Sequence, residues 1–178
     1  MLDVTLTSSS LWFSSDKEVS QDNYATRNCV RVVVYKKDGK IALSRERFES
    51  LEEFYGLPWG GIDEWESEED ALIREIKEEV GCTIMHREKI GLVTAVKWYN
   101  RRTTYHNVYT AQYEHDLWEL TLTDHEKTYV YEIVRVSIDT AIEFIERCME
   151  AAHEYEKWMF ILARDHAILS YIRANNSL

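Results

Sequence analysis

Residues 60–82, GGIDEWESEEDALIREIKEEVGC, constrain this chain more tightly than any other stretch. They open on two glycines and run into a segment with strong helix signals. Ser67 stands at the N-cap position, Glu68, Glu69 and Asp70 fill a first turn that favours negative charge, and Ser67 with Asp70 has capping-box spacing. Gly81 is a natural stop, since glycine readily takes the left-handed conformation that closes a helix. At about 100° per residue, Leu72, Ile73, Ile76 and Val80 share an arc that must face a core. Glu75, Glu78 and Glu79 share the adjacent arc, so their carboxylates are expected to converge. As surface this is poor: Glu75 and Glu79 repel at i, i+4 by roughly 0.2–0.5 kcal/mol, and acids in the last turn oppose the helix dipole by about 0.3–1 kcal/mol each. A hard divalent cation such as Mg²⁺, which takes clustered carboxylate oxygens, would relieve the repulsion. The competing reading is a solvated acidic face, in a chain with 32 acidic residues.

The flanking residues weigh against that second reading. Gly60, Glu66, Arg74, Glu75, Ile76, Glu78, Glu79 and Gly81 stand at the spacing G-x5-E-x7-R-E-U-x-E-E-x-G-U, with U apolar, and Cys82 fills the last apolar slot. The pattern resembles the Nudix box. The resemblance implies a Nudix (MutT-like) hydrolase, which cleaves a nucleoside diphosphate linked to another moiety with Mg²⁺ or Mn²⁺. It implies that Glu78 and Glu79 bind metal, that Glu75 binds metal or helps activate water, and that Arg74 holds one of these carboxylates by an ion pair. It further implies that Gly60 lends its carbonyl to a metal and that Glu66 ties the loop to the helix. Relatives often carry glycine where Trp65 stands, so the loop backbone is expected to differ there. Pyrophosphate hydrolysis asks for the same parts: neutralised phosphate oxygens, a positioned water, and a carboxylate to take its proton.

Composition bounds what surrounds this segment. The chain is 45% hydrophobic with 12% aromatics over 178 residues, which fits one globular domain with a substantial core. A net charge of −11 argues against a nucleic-acid polymer as partner and leaves a small anionic, nucleotide-type substrate if metal supplies the positive charge. Cys29, Cys82 and Cys148 are odd in number and widely spaced, which reads as buried reduced thiols rather than a disulfide framework or zinc site. The first residues, MLDVTLTSSSLWF, lack the charge and apolar run of a signal peptide, and no run reaches membrane-spanning length, so no membrane partner and a cytoplasmic location are expected.

Taken in order, residues 4–6 are a short strand candidate and 8–15 a loop. The β-branched run 29–35 and residues 41–44 read as strands joined by a turn at Asp38-Gly39. Arg45 and Arg47 follow; either reaches a substrate phosphate or pairs with Glu46, Glu49 or Glu52. The aromatics, proline and glycines of 48–61 read as a shaped loop entering the box. There Trp59 is a base-stacking candidate whose alternative is core packing, as are Tyr55 and Trp65. Residues 90–99 and 103–114 read as strands joined through Asn100, Arg101 and Arg102. No proline follows Pro58, which disfavours the ADP-ribose and NADH hydrolases within the resemblance, whereas Tyr99 lies near the tyrosine of diadenosine polyphosphate hydrolases. Residues 120–136 read as a polar loop and a strand. Some relatives take a general base from a loop outside the box, which makes Glu126 and Glu132 alternative base candidates beside the plainer reading of solvated acids.

Residues 139–173 become helical, capped by Asp139, with apolar spacing that leaves open one helix or two. Packing on the sheet is the favoured role, and a homodimer seam is the alternative. The expected architecture is therefore an α/β/α sandwich on a mixed sheet with a helical C-terminal segment over about 139–174. It forms a single domain over 1–178, whose Nudix core spans about 29–145. The expected activity is divalent-metal-dependent pyrophosphate hydrolysis. The alternative is a catalytically weak nucleotide-binding or regulatory module on the same fold, which the intact box disfavours. An isopentenyl diphosphate isomerase is disfavoured by the lack of a Cys-Gly-His step.

Overall fold

A computed structural model describes residues 1–11, 13, 23–48, 51–117 and 132–175, the side chains of Phe48, Leu51 and Glu52 excepted. Its elements run β1 (Leu2–Thr7), β2 (Ala25–Tyr35), β3 (Ile41–Phe48), β4 (Leu51–Gly56), β5 (Trp59–Gly61), α1 (Glu68–Glu75) with a π turn over Ile76–Val80, β6 (Cys82–Lys97), β7 (Arg102–Asp116), β8 (Glu132–Val136), α2 (Ile138–Ala151) and α3 (Glu156–Asn175). The strands form one mixed sheet in the order β1-β6-β7-β2-β3-β4, with β5 added to β2 and β8 to β3. β2 and β7 are parallel along their length, as are β1 and β6, while β6 and β7 form a long antiparallel pair.

Strand alternation distributes the core to two faces. Val30, Val32 and Val34 of β2 turn toward Leu72, Ile76 and Val80 of the box helix. Val33 turns the other way, where Ile41 and Leu43 of β3 and Val93 of β6 meet Ile142 and Ile145 of α2 and Leu162, Ile168 and Leu169 of α3. The result is the expected α/β/α sandwich, with the box helix on one face and the C-terminal segment on the other. Ile142, Ile145, Leu162, Ile168 and Leu169 of that segment join the core on the sheet, while Tyr155 stays exposed.

Several boundaries differ from the sequence reading, each for a tertiary reason. The loop expected before the box contains β4 and β5: β2 meets β3 only where Tyr35 faces Ile41, so the edge at Cys29–Arg31 is open and Trp59–Gly61 pairs along it. β6 starts at Cys82, because the polar residues 86–89, which interrupt the apolar pattern, are carried by bulges with His86 at a positive φ of 48°. The C-terminal segment is two helices, parted after Ala151, and its cap is Ser137, whose Oγ accepts from the Thr140 N–H at 3.2 Å; Asp139 lies in the first turn instead.

One buried ionic knot joins α3 to the sheet. Asp165, fully buried, accepts from Arg31 Nη1 at 2.8 Å, from the Leu57 N–H at 2.9 Å and from Arg164 Nε at 2.9 Å, and Arg31 also donates to the Leu57 carbonyl at 2.7 Å. Removing the only anion from this set leaves two buried guanidiniums uncompensated. Asp165→Ala is therefore expected to destabilise the protein by about 3–5 kcal/mol, read as a lowered midpoint in urea unfolding followed by circular dichroism.

Candidate active site

Ser67 caps α1 as its spacing predicts: its Oγ accepts from the Asp70 N–H at 3.1 Å. At the far end Gly81 adopts φ 65°, ψ 38°, and its N–H reaches the Ile76 carbonyl five residues back, closing the π turn that carries Glu78 and Glu79. Such wide turns often occur at functional sites. Here the turn sets the two glutamates apart from the α-helical geometry assumed for them from sequence.

Arg74 organises the acids. Its guanidinium grips Glu66 with a two-pronged pair, Nε to Oε1 and Nη2 to Oε2, each at 2.8 Å. It also donates through Nη1 to Glu75 Oε1 at 2.6 Å and Glu78 Oε2 at 3.4 Å, and through Nη2 to the Gly61 carbonyl at 3.0 Å. Glu66 in turn accepts from the Asp63 N–H, so the residue ties loop to helix. The hydrogen bonds that Arg74 donates hold the Glu66 carboxyl below its ordinary range, and the same bonds raise Arg74 itself.

Gly60 and Trp59 meet the other two carboxylates. A Cβ on Gly60 would lie 1.7 Å from the Glu75 carboxyl carbon, so only glycine lets that carboxylate lie against β5. The Trp59 N–H donates to Glu79 Oε2 at 2.9 Å. Glu75 and Glu79 are each 9% exposed, which is deep for acids. Among the described residues no three Asp, Glu, His or Cys side chains stand together in metal-holding geometry, so the convergence expected for Glu75, Glu78 and Glu79 is not met. The reason is visible in the bonds above: Glu75 is drawn to Arg74 and Gly60, Glu79 to Trp59, and Glu78 stays partly exposed near Arg74. The donor set still suits a hard cation, since it offers three carboxylates, two of them nearly buried, beside a glycine backbone.

The remaining candidates separate. Arg45 on β3 pairs across the sheet with Glu132 of β8 at 3.2 Å and with Glu53 of β4, two acids the sequence reading did not name as its partners, so Glu132 is engaged by a cation. Arg47 is exposed. Tyr99 lies in a short 3-10 turn with its ring 6.2 Å from Phe160. Glu126 and Glu49 lie outside the described residues, as does the side chain of Glu52. Trp59 sends its ring to the α3 face, where the guanidinium carbons of Arg27, Arg31 and Arg164 stand 5.6, 5.4 and 5.9 Å from its centroid. Sequence reasoning missed Arg31, Arg164 and Asp165. The available signal was a charge set inside an apolar strand pattern at Arg31 and inside an apolar helical pattern at Arg164 and Asp165.

A mixed sheet between helices, with a glutamate-bearing helix fed by a glycine turn, defines a Nudix-type fold. The NUDIX domain model matches residues 25–162, and the chain belongs to the Nudix hydrolase family. Curated relatives include an RNA pyrophosphohydrolase of Sphingopyxis alaskensis, 36% identical over 63 residues (35% of this chain, 39% of that protein). Another, from Wolbachia pipientis subsp. Culex pipiens, is 42% identical over 55 residues (31% and 33%). The chain thus spans about a third to two fifths of the length of the curated relatives it matches. Similar folds are a NUDIX hydrolase of Nitrosomonas europaea (TM-score 0.57, 20% identity, 74% of this chain and 90% of that one) and an ADP compounds hydrolase (0.58, 20%, 85% and 76%).

The Arg74 network generates a pH-dependent expectation. A carboxyl held below its unfolded value contributes stability above about pH 4.5, the ordinary value for Glu66, and loses it as the pH falls through the depressed folded value. Arg74→Met should cost about 1–3 kcal/mol at pH 7, with the difference from wild type shrinking below pH 4.5. Urea titrations at pH 7 and across the acid range read both parts.

Proposed function

We propose that this chain hydrolyses a phosphoric anhydride in a nucleotide-type substrate, with Mg²⁺ or Mn²⁺ held by Glu75, Glu78, Glu79 and the Gly60 carbonyl. The observation that carries the reading is the close fit of Glu75 against Gly60, with Arg74 bonded to the same carboxylate. An acidic helix that was merely solvated would have no need of a glycine whose missing Cβ accommodates a nearly buried carboxylate.

The bound cation supplies charge neutralisation on the phosphate oxygens. The chain's own groups supply position and proton transfer. A water forms its bond to phosphorus as the bridging P–O bond breaks, and a glutamate beside it, Glu75 or Glu79, takes the proton. Arg74 fixes Glu75, and the Trp59 N–H fixes Glu79, so neither carboxylate need search for its orientation. A cytoplasmic location belongs to the same reading, supported by three buried free cysteines.

A second reading takes a 5′-phosphorylated RNA end as the substrate. It is favoured by the name RNA pyrophosphohydrolase on the matched relatives, and disfavoured by the net charge of −11.

The test is phosphate release from a panel of nucleoside triphosphates, oxidised nucleotides, diadenosine polyphosphates, ADP-ribose, nucleotide sugars and a triphosphorylated oligoribonucleotide. EDTA should abolish turnover and Mg²⁺ or Mn²⁺ restore it. Glu79→Gln should lower it by about a hundredfold or more with the circular dichroism spectrum retained; near-wild-type turnover would defeat the assignment. Gly60→Ala, which forces the Glu75 carboxylate to move, should also cost about a hundredfold, measured in the same assay. Silence across the panel with metal binding intact would favour a nucleotide-binding module.

A further inference from the structure

The face of β5 opposite the box carboxylates holds an excess of buried positive charge. Arg31 and Arg164 are 0% and 2% exposed, and among the described residues Asp165 is the one carboxylate bonded to them. Beside them is His106, 1% exposed, whose Nε2 stands 3.1 Å from Arg164 Nη1. Arginine only donates, so Nε2 must accept, which places the imidazole proton on Nδ1 and leaves His106 neutral. Burial, then the charge of Arg164, holds this histidine well below its ordinary range. The fully buried set is thus two cations, one anion and a neutral ring.

Its unsatisfied atoms are all of one kind. Arg31 Nε, Arg31 Nη2, Arg164 Nη2 and His106 Nδ1 are buried without a hydrogen-bond partner, and every one is a donor. Buried donors on charged groups are costly to leave unpaired, and a negatively charged acceptor would both pair them and balance the set. The neighbouring groups feel the same deficit. Burial and then Arg164 push Lys97 down to about 8, and push Arg31 down to about 9. A guanidinium nevertheless keeps its proton in proteins, so the site retains its charge.

The Trp59 ring covers the cluster, and the exposed Arg27 stands at the rim, its guanidinium also close to Gly61. We propose that Arg31, Arg164 and His106 Nδ1–H form an anion site that takes a phosphate group of the substrate when the Trp59 indole swings aside, with Arg27 and Lys97 guiding it in. That the phosphate belongs to a nucleotide substrate rests on the reading under Proposed function; the anion site itself rests on the unpaired donors. The Trp59 backbone stays bonded to Glu79 while its ring caps the cations, so one residue separates the two sites. The ligand class that follows is a nucleotide with a phosphate outside the anhydride being cut.

The test is calorimetric titration of the full chain in EDTA with inorganic pyrophosphate and, separately, with ADP. Without a divalent cation the box carboxylates repel both probes, so binding reports the cationic face. Both should bind, more weakly as salt rises. Arg27→Gln should weaken both by about threefold and Lys97→Met by about tenfold. Absence of binding in EDTA, or wild-type affinity in both Arg27→Gln and Lys97→Met, would overturn the proposal. Pyrophosphate binding without ADP binding would overturn its assignment to the substrate. Hydrolysis with Mg²⁺ but no metal-free binding sinks the anion site alone, whereas metal-free binding without any hydrolysis sinks the catalytic reading alone.

Discussion

The Asp165 carboxylate is the interaction on which the arrangement of this molecule depends. It accepts from a strand side chain, a turn backbone and its neighbour on α3, so three elements share one oxygen pair. A buried carboxylate is tolerated only when its hydrogen bonds are complete, and that requirement holds α3, β2 and the turn at Leu57 in one relative position. Two residues beyond that turn, the Trp59 N–H meets Glu79 and the Gly60 backbone makes room for Glu75. α3 therefore bears on where the box glutamates lie, through a strand of three residues.

β5 also separates two opposite electrostatic environments. On the α1 side lie Glu75, Glu78 and Glu79, restrained by Arg74; on the α3 side lie Arg31, Arg164, Lys97 and the rim residue Arg27. A net charge of −11 gives no hint of this division. Low-dielectric surroundings make local charge arrangement more influential than the total, and the proposed chemistry uses both signs: acids to hold a cation, cations to hold a phosphate.

The π turn at Ile76–Val80 and the Gly81 closure show how local chemistry and packing divide the work. Ser67, the acids of the first turn and Gly81 could be read directly, because capping depends on residues within one turn of the chain. That Arg74 would hold one of the box carboxylates was implied by the family resemblance, whereas its two-pronged pair with Glu66 emerged only in the fold. The individual orientations emerged there too, because they are set by Gly60 and Trp59, which approach from another element. For the same reason Arg45 looked available along the chain, while in the fold Glu132 faces it from a strand 87 residues away.

By itself the sequence determined the helix with its caps, the acid set and its arginine, the strands of β-branched residues, and hence membership in a recognisable α/β class. These depend on spacing of a few residues, where periodicity and steric preference act without distant partners. Only the tertiary structure decided that 51–61 pairs as strands, that the C-terminal pattern breaks into two helices, and that Arg31 meets Arg164 and Asp165. Each depends on which edge or buried charge is left without a partner once the sheet has formed, and a hydrogen bond between residues 134 positions apart, as from Arg31 to Asp165, leaves no periodic trace in the chain.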